Sequence, residues 1–276
     1  MPDEAQIRLA ALGQLMAADV DAAPHLAEIA ASLDRPEVSV RQMAAAVLGK
    51  IGAPAVAAVR PLCRCLTAPE DDLRAIASFA LARIGPASVP ALRLMLKFSD
   101  PRTVISAVGA LSQIGPEARE SLTDLEAIAP RAPLAVQLAC AAALARISGD
   151  ASRGLPLLLR ALDHPDPSVR KQSLERITEL GPAAHPAIPR ILQCAADPAP
   201  EVRATGALTL GRIRAPASEV VSPMVRLLDD ASPEVRLNAM IVLASWGEAA
   251  SEALPALRKS TDAAANAAIE RISGNT

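Results

Sequence analysis

The chain is 276 residues long and 51% hydrophobic, yet only 1% aromatic: it has no Tyr, two Phe (Phe79 and Phe98) and one Trp (Trp246). A core of Ala, Leu, Ile and Val suits closely packed helices, and the shortage of aromatic faces excludes base-stacking nucleic-acid platforms and carbohydrate sites. The formal net charge of −2 gives no overall pull towards nucleic acid or an anionic membrane, and the cations are mostly Arg, with Lys only at Lys50, Lys97, Lys171 and Lys259.

Taken in order, residues 4 to 33 read as a degenerate first helix pair, with Asp19 where later pairs carry Gly. Pro36 opens the second pair, whose first helix is predicted over about Glu37–Gly49. The break Gly52-Ala53-Pro54 ends it, and the second helix runs to about Leu66. Gly after a last turn and Pro at the start of the next helix are stop and start signals. They return at Gly85-Pro86, Gly115-Pro116 and Gly181-Pro182. Between pairs, Asp100-Pro101, Asp166-Pro167 and Asp197-Pro198 place a capping carboxylate before a Pro in the first turn. The third pair is three residues short, the loss falling between Gly85 and Pro90. The fourth is the most divergent and carries an acidic second helix with Glu117, Glu120, Asp124 and Glu126. After Pro255 the array closes early, so the last helix, about Ala263–Ile272, should act as a cap with Trp246 as a larger plug beneath it.

The period is measured from a recurring Arg. Arg8, Arg41 and Arg74 fall 33 apart, as do Arg170, Arg203 and Arg236; Val104 and Gln137 fill the slot between the two groups. Apolar residues sit at −1, +3, +7 and +10 from it, as in Val202, Ala239, Leu81 and Ile147. Spacings of 4, 4 and 3 make one stripe on a helix of 3.6 residues per turn. A period in the thirties with two helices each is the signature of a helical solenoid.

Cys63, Cys65, Cys140 and Cys194 lack redox or zinc spacing and are expected as small core residues or free thiols of a reducing compartment. His25, His164 and His185 are isolated and expected at the surface or in turns. The N-terminal MPDEAQIRLAAL shows no basic region followed by an apolar run, and no window reaches 18 apolar residues. A soluble cytoplasmic protein is expected, whole or as part of a longer one.

Two rows of Arg are singled out. Arg41, Arg74, Arg203 and Arg236 each follow an acidic residue within one turn (Glu37, Glu70 and Asp71, Glu201, Glu234), and Arg170 follows Asp166. This spacing predicts a structural ladder to neighbouring carboxylates. On the second helices, Arg64, Arg93, Arg226 and Arg258 stand three positions after the helix Pro, and Arg160 one step further on. They form a candidate partner-binding stripe.

The stretches Val202–Ile213 (VRATGALTLGRI) and Asp166–Leu192 (DPSVRKQSLERITELGPAAHPAIPRIL) resemble HEAT repeats, especially the short bacterial HEAT-like kind named after phycobilisome lyases. The resemblance covers nearly the whole chain. It implies an all-α, right-handed α-solenoid (superhelix) of about eight HEAT-like helix pairs plus a C-terminal capping helix, in a single domain over 1–276. The repeats fall at about 4–35, 36–68, 69–99, 100–132, 133–165, 166–198, 199–231 and 232–261, with the cap at 262–276. In this fold the second helices resemble those that line the concave surface. Relatives built this way are mostly protein-binding scaffolds, some being bilin lyase subunits, others alkylpurine glycosylases or iron-dependent hydroxylases. The hydroxylase type needs paired His-Glu ligands, and none of the three His is followed by Glu. The glycosylase type needs an aromatic-lined cleft. No catalytic, metal or cofactor-binding residue is therefore assigned. The expected function is a non-enzymatic interaction scaffold for a protein or peptide, acidic ones included, with no nucleic-acid or membrane partner, acting as a monomer. The alternative is an accessory subunit of a bilin lyase or similar modifying enzyme.

Overall fold

A computed structural model describes residues 3–17 and 23–274, so Asp19 lies outside the described residues. Every regular element among them is helical. The helices group into two compact units, Met1–Asp150 and Ala151–Thr276.

In the first unit the first helices of successive pairs are α1 (Glu4–Ala17), α3 (Val38–Ile51), α5 (Asp71–Ile84), α7 (Pro101–Ile114) and α9 (Leu134–Ser148), each packed on the next. The second helices α2 (Leu26–Ala31), α4 (Val59–Cys65), α6 (Val89–Met95) and α8 (Leu122–Ile128) each pack on the first helix that follows. The second unit repeats this arrangement. Its first helices are α11 (Pro167–Glu179), α13 (Pro200–Arg212) and α15 (Pro233–Ser245), closed by α17 (Ala264–Ile272). Its second helices are α10 (Leu155–Ala161), α12 (Ile188–Cys194), α14 (Ala217–Leu227) and α16 (Leu254–Leu257). In chain order these are eight pairs and a closing helix among the described residues.

The period-derived slots become the core. Val40, Ala44 and Leu48 of α3 are buried, as are Leu73, Ala77 and Leu81 of α5 and Val235, Ala239 and Leu243 of α15. Each fully buried Leu contributes roughly 2–3 kcal/mol of transfer free energy. Small residues set how closely helices approach: a Cβ added at Gly211 would lie 2.9 Å from Val242. The apolar stretch Asp71–Met95 is long enough to cross a membrane, but it breaks at Gly85 into α5 and α6, whose Leu73, Leu81 and Leu92 are buried within the unit.

A 3-10 segment joins the two helices of most pairs. It has seven residues at Gly181–Ala187 and four at Gly85–Ser88, which is where the three missing residues of the third pair were taken out. Gly181 enters the segment at φ +57°. In the next pair Arg214 takes the same place, directly after Ile213, at φ +56°, a left-handed conformation that carries a steric cost for a residue with a Cβ. Two sequence expectations need correction. Asp100 and Asp166 do cap α7 and α11, but α13 starts at Pro200 after Ala199, and Asp197 stands too early to cap it. Trp246 is only half-buried, and α17 instead packs on α15 and on the Gly247–Ala253 segment, whose Ala250 and Ala253 are buried.

Candidate functional site: two arginine rows

The first row runs along the turns that precede the first helices. In the second unit it forms a continuous ladder with one rule. Arg170 donates through Nε and Nη2 to both oxygens of Asp197 (2.8 and 2.7 Å), and through Nη1 to the carbonyls of His164 and Pro165 (2.8 and 3.0 Å). Arg203 does the same with Asp230 (2.7 and 2.8 Å) and with the Asp197 and Pro198 carbonyls (2.8 and 3.2 Å). Arg236 follows with Asp262 (2.7 and 3.1 Å) and the Asp230 and Ala231 carbonyls (2.9 and 3.3 Å). Each guanidinium thus clamps the turn before its own helix and reaches the Asp of the next turn. Asp197 and Asp230 are each held twice, by carboxylate from the Arg before and by carbonyl from the Arg after. Such forked, charge-assisted pairs fix geometry as well as energy.

Of the partners the spacing suggested, only Asp71 pairs with its Arg, Arg74, among the described residues. Glu37, Glu201 and Glu234, one turn before their Arg, pair with none of them. The missed residues are Asp197 and Asp230, which stand six positions before the next ladder Arg, and Asp262 at the end of the row. The recurrence of Asp at that offset was the available signal. Burial pushes the Asp197 carboxyl up, but the hydrogen bonds from Arg170 and the Ala199 amide and the charges of Arg170 and Arg203 outweigh it, so the group sits below its usual range. Asp230 is held low chiefly by its hydrogen bonds from Arg203, against burial.

In the first unit the rule fails. Arg41 makes one bond of 3.2 Å to Glu70, leaving its Nε and the other Glu70 oxygen buried without partners. Arg74 clamps the Ala68 and Pro69 carbonyls (2.6 and 2.8 Å), but its carboxylate partner is Asp71 of its own helix. The six-before positions of this unit hold Arg35, Ala68, Phe98 and Arg131 in place of Asp. Gln137 keeps half of the clamp, donating to the Ala132 carbonyl at 3.0 Å. Val104 keeps none.

The stripe of the second helices is divided. In the first unit, Arg64 is bound by Asp34 (2.7 and 2.9 Å), and Arg93 by Asp124 (2.5 Å) with Glu120 at 3.6 Å. These two were expected to face a partner and instead answer to carboxylates of this chain. In the fourth pair Asp124 comes from α8, while Glu120, like Glu117, lies in the 3-10 segment Gly115–Ser121 before it and not in the second helix as the sequence suggested. In the second unit, Arg160, Arg226 and Arg258 are exposed and have no ion-pair or hydrogen-bond partner among the described residues. Arg190 of α12 is bound by Asp163 (2.5 Å).

The four thiols are all buried and free. Burial pushes Cys63, Cys65 and Cys194 to about 11 and Cys140 to about 12. His164 accepts from the Asp166 amide at 3.1 Å, and His185 lies 2.8 Å from the Ile213 carbonyl. Among the described residues, no three His, Cys, Asp or Glu side chains are grouped to hold a metal ion.

A family profile described as HEAT repeats matches residues 59–145 and 188–272, more than half of the chain, and a single HEAT repeat matches 155–184. The chain belongs to the HEAT-repeat family. Its helix pairs are HEAT repeats, and the ladder lies at the N-terminal ends of their first helices. Among solved structures, importin beta is similar with a TM-score of 0.58 at 14% identity, over 99% of this chain and 44% of that one. A homology model of the full-length AP-3 complex gives 0.62 at 14%, over 97% and 54%. The complex of CpcE and CpcF of phycocyanin lyase from Nostoc sp. PCC7120 gives 0.50 at 18%, over 91% and 94%. At these identities the likeness carries the α-solenoid fold of HEAT repeats. No curated protein matches the sequence.

Proposed function

We propose that this HEAT-repeat chain is a non-catalytic, cytoplasmic scaffold that holds an acidic protein or peptide segment along the second helices of its second unit. The observation that carries this reading is the contrast between the two rows. Every ladder guanidinium of that unit has all three nitrogens hydrogen-bonded, whereas Arg160, Arg226 and Arg258 on α10, α14 and at the end of α16 are exposed and have no partner among the described residues. An unpaired guanidinium is always charged and offers a fork that matches a carboxylate. Single exposed pairs contribute roughly 0–1 kcal/mol, so an extended acidic segment gains from the row and little from any one contact.

The test compares the wild-type chain with Arg160→Glu/Arg226→Glu/Arg258→Glu on a partner captured from native lysate. The reading expects binding to be lost in the variant at unchanged helical content, and to weaken steeply between 0.15 M and about ten times that salt, because exposed charges are screened over about 8 Å at physiological ionic strength. Equal binding by the variant overturns it. A second reading, an accessory subunit of a bilin lyase or similar modifying enzyme, draws on the near-complete mutual coverage with one chain of the CpcE and CpcF complex. A bound tetrapyrrole absorbing visible light would favour it.

A further inference from the structure

Where the ladder fails in the first unit, the turn edge opens into an apolar cleft of about 360 Å³ between the turns that precede α7 and α9. Its walls include Phe98, Val104, Ile128, Pro133 and Arg131. Val104 holds a ladder slot, while Phe98 and Arg131 hold two of the positions that are Asp in the second unit. At Val104 and Arg131 both partners of a rung have been replaced, and the acidic one has become a cation.

The replacement changes what this edge presents. In the second unit a guanidinium covers the carbonyls six and five residues before it. Val104 offers no donor to the corresponding Phe98 and Ser99 carbonyls. Phe98 is 49% exposed, in a chain with only two Phe and one Trp. Arg131 is exposed and has no ion-pair or hydrogen-bond partner among the described residues. No carboxylate lines the cleft. Asp100, between the lining residues Ser99 and Pro101, is held by the amide and side chain of Arg102 and by Thr103 (3.1 to 3.4 Å). Lys97, beside Phe98 in the chain, is exposed.

We infer that this cleft docks a short segment of a partner protein carrying a bulky apolar side chain flanked by carboxylates. The apolar side chain enters beside Phe98 and Val104, a carboxylate meets Arg131, and a backbone N–H of the segment donates to the Phe98 or Ser99 carbonyl. Aromatic and Arg anchors around a desolvated pocket are the composition in which binding energy concentrates. This site is separate from the free Arg of the second unit and does not rest on that reading.

The probe is a fluorescein-labelled nonapeptide with Leu-Phe at its centre and Glu on both sides, titrated by fluorescence anisotropy into the full chain. The expected result is saturable binding that weakens about fivefold to tenfold in Phe98→Ala and in Arg131→Glu, the usual loss for anchor residues. It should also weaken in Val104→Arg, which refills the slot, and when the peptide carries Lys for Glu or Gly-Gly for Leu-Phe. Arg60→Glu, which changes an exposed cation outside the cleft, should leave it unchanged. Wild-type binding no stronger than that of Phe98→Ala overturns the proposal, as does binding lost in Arg226→Glu/Arg258→Glu but kept in Phe98→Ala and Arg131→Glu, which would put the peptide on the second-unit row. A concentration-dependent dimer in sedimentation that Phe98→Ala dissolves would assign the cleft to a second copy and overturn it too. Should Val104→Arg fail to fold, the Phe98 and Arg131 variants decide alone, because both side chains are exposed.

Discussion

The two units are built from the same repeat and differ in how their turns are fastened. In the second, Arg170, Asp197, Arg203, Asp230, Arg236 and Asp262 form one alternating row in which each Arg–Asp pair is bidentate. In the first, Arg41 and Arg74 keep fragments of it, Gln137 keeps one carbonyl, and Val104 and Arg131 line an open cleft. The difference teaches what the Arg slot does. Burying its apolar neighbours does not require it, since in the repeats without Arg Leu111 is as fully buried as Leu210 and Leu144 is still buried. The Arg ties one turn to the next, and where it is lost the turn surface becomes available to something else.

The largest expected effect breaks the intact row. Arg203→Ala removes four hydrogen bonds and leaves the largely buried Asp230 carboxylate with no side-chain partner, for a loss of about 2 kcal/mol. Hydrogen exchange should show that loss in α13 and α15. Arg41→Ala removes one long bond, and the first unit should lose under about 1 kcal/mol. Equal losses in the two units would end the distinction.

Acid tests the same contrast. The folded-state pKa values of Asp197 and Asp230 lie below their unfolded values, so the stability they supply is complete above the unfolded carboxylate range and is lost as pH falls through the folded values. The second unit should keep its protection from pH 7 down to about 5 and lose it below about 4. Asp230→Asn should flatten that fall, as read by thermal melts across the range.

Much of this was legible in one dimension. A 33-residue period, the apolar slots and the Gly-Pro breaks give the helix pairs, the shortened third pair and the closing helix with bounds close to those observed. Pairing was less legible, for a physical reason. The period says which positions are equivalent, but a long Arg side chain runs back along its helix and meets the turn stacked one repeat away, so its partner is set by an offset of 27 or 26 residues and not by the local turn. For the same reason Arg64 and Arg93 could not be told from Arg226 and Arg258: whether each is free depends on Asp34 and Asp124, about 30 residues off.

A smaller effect comes from the backbone. Arg214 occupies a left-handed position that Gly181 fills in the preceding repeat. That conformation costs a residue with a Cβ about 1–2 kcal/mol, partly offset by the greater chain entropy that Gly loses on folding. Arg214→Gly should therefore stabilise the second unit by about 0.5–1 kcal/mol, seen as a higher denaturation midpoint, whereas Gly181→Arg should do the reverse.

The smallest expected effect rebuilds what the first unit lacks. Val104→Arg alone places a guanidinium beside Arg131 and gives up the contacts of a side chain that is 6% exposed, so it should destabilise. Arg131→Asp alone changes an exposed residue and should be close to neutral. Together they restore the pair found at Arg170 and Asp197, with Nη1 of the new Arg in reach of the Phe98 and Ser99 carbonyls. The double variant should therefore recover part of the loss, giving a coupling of about 0.5 kcal/mol in a double-mutant cycle, small because this edge is more open than the turns of the second unit. Additive losses would mean that the backbone of these turns has drifted too far for a rung to form, and that the row in the second unit depends on turn geometry as much as on its Arg and Asp.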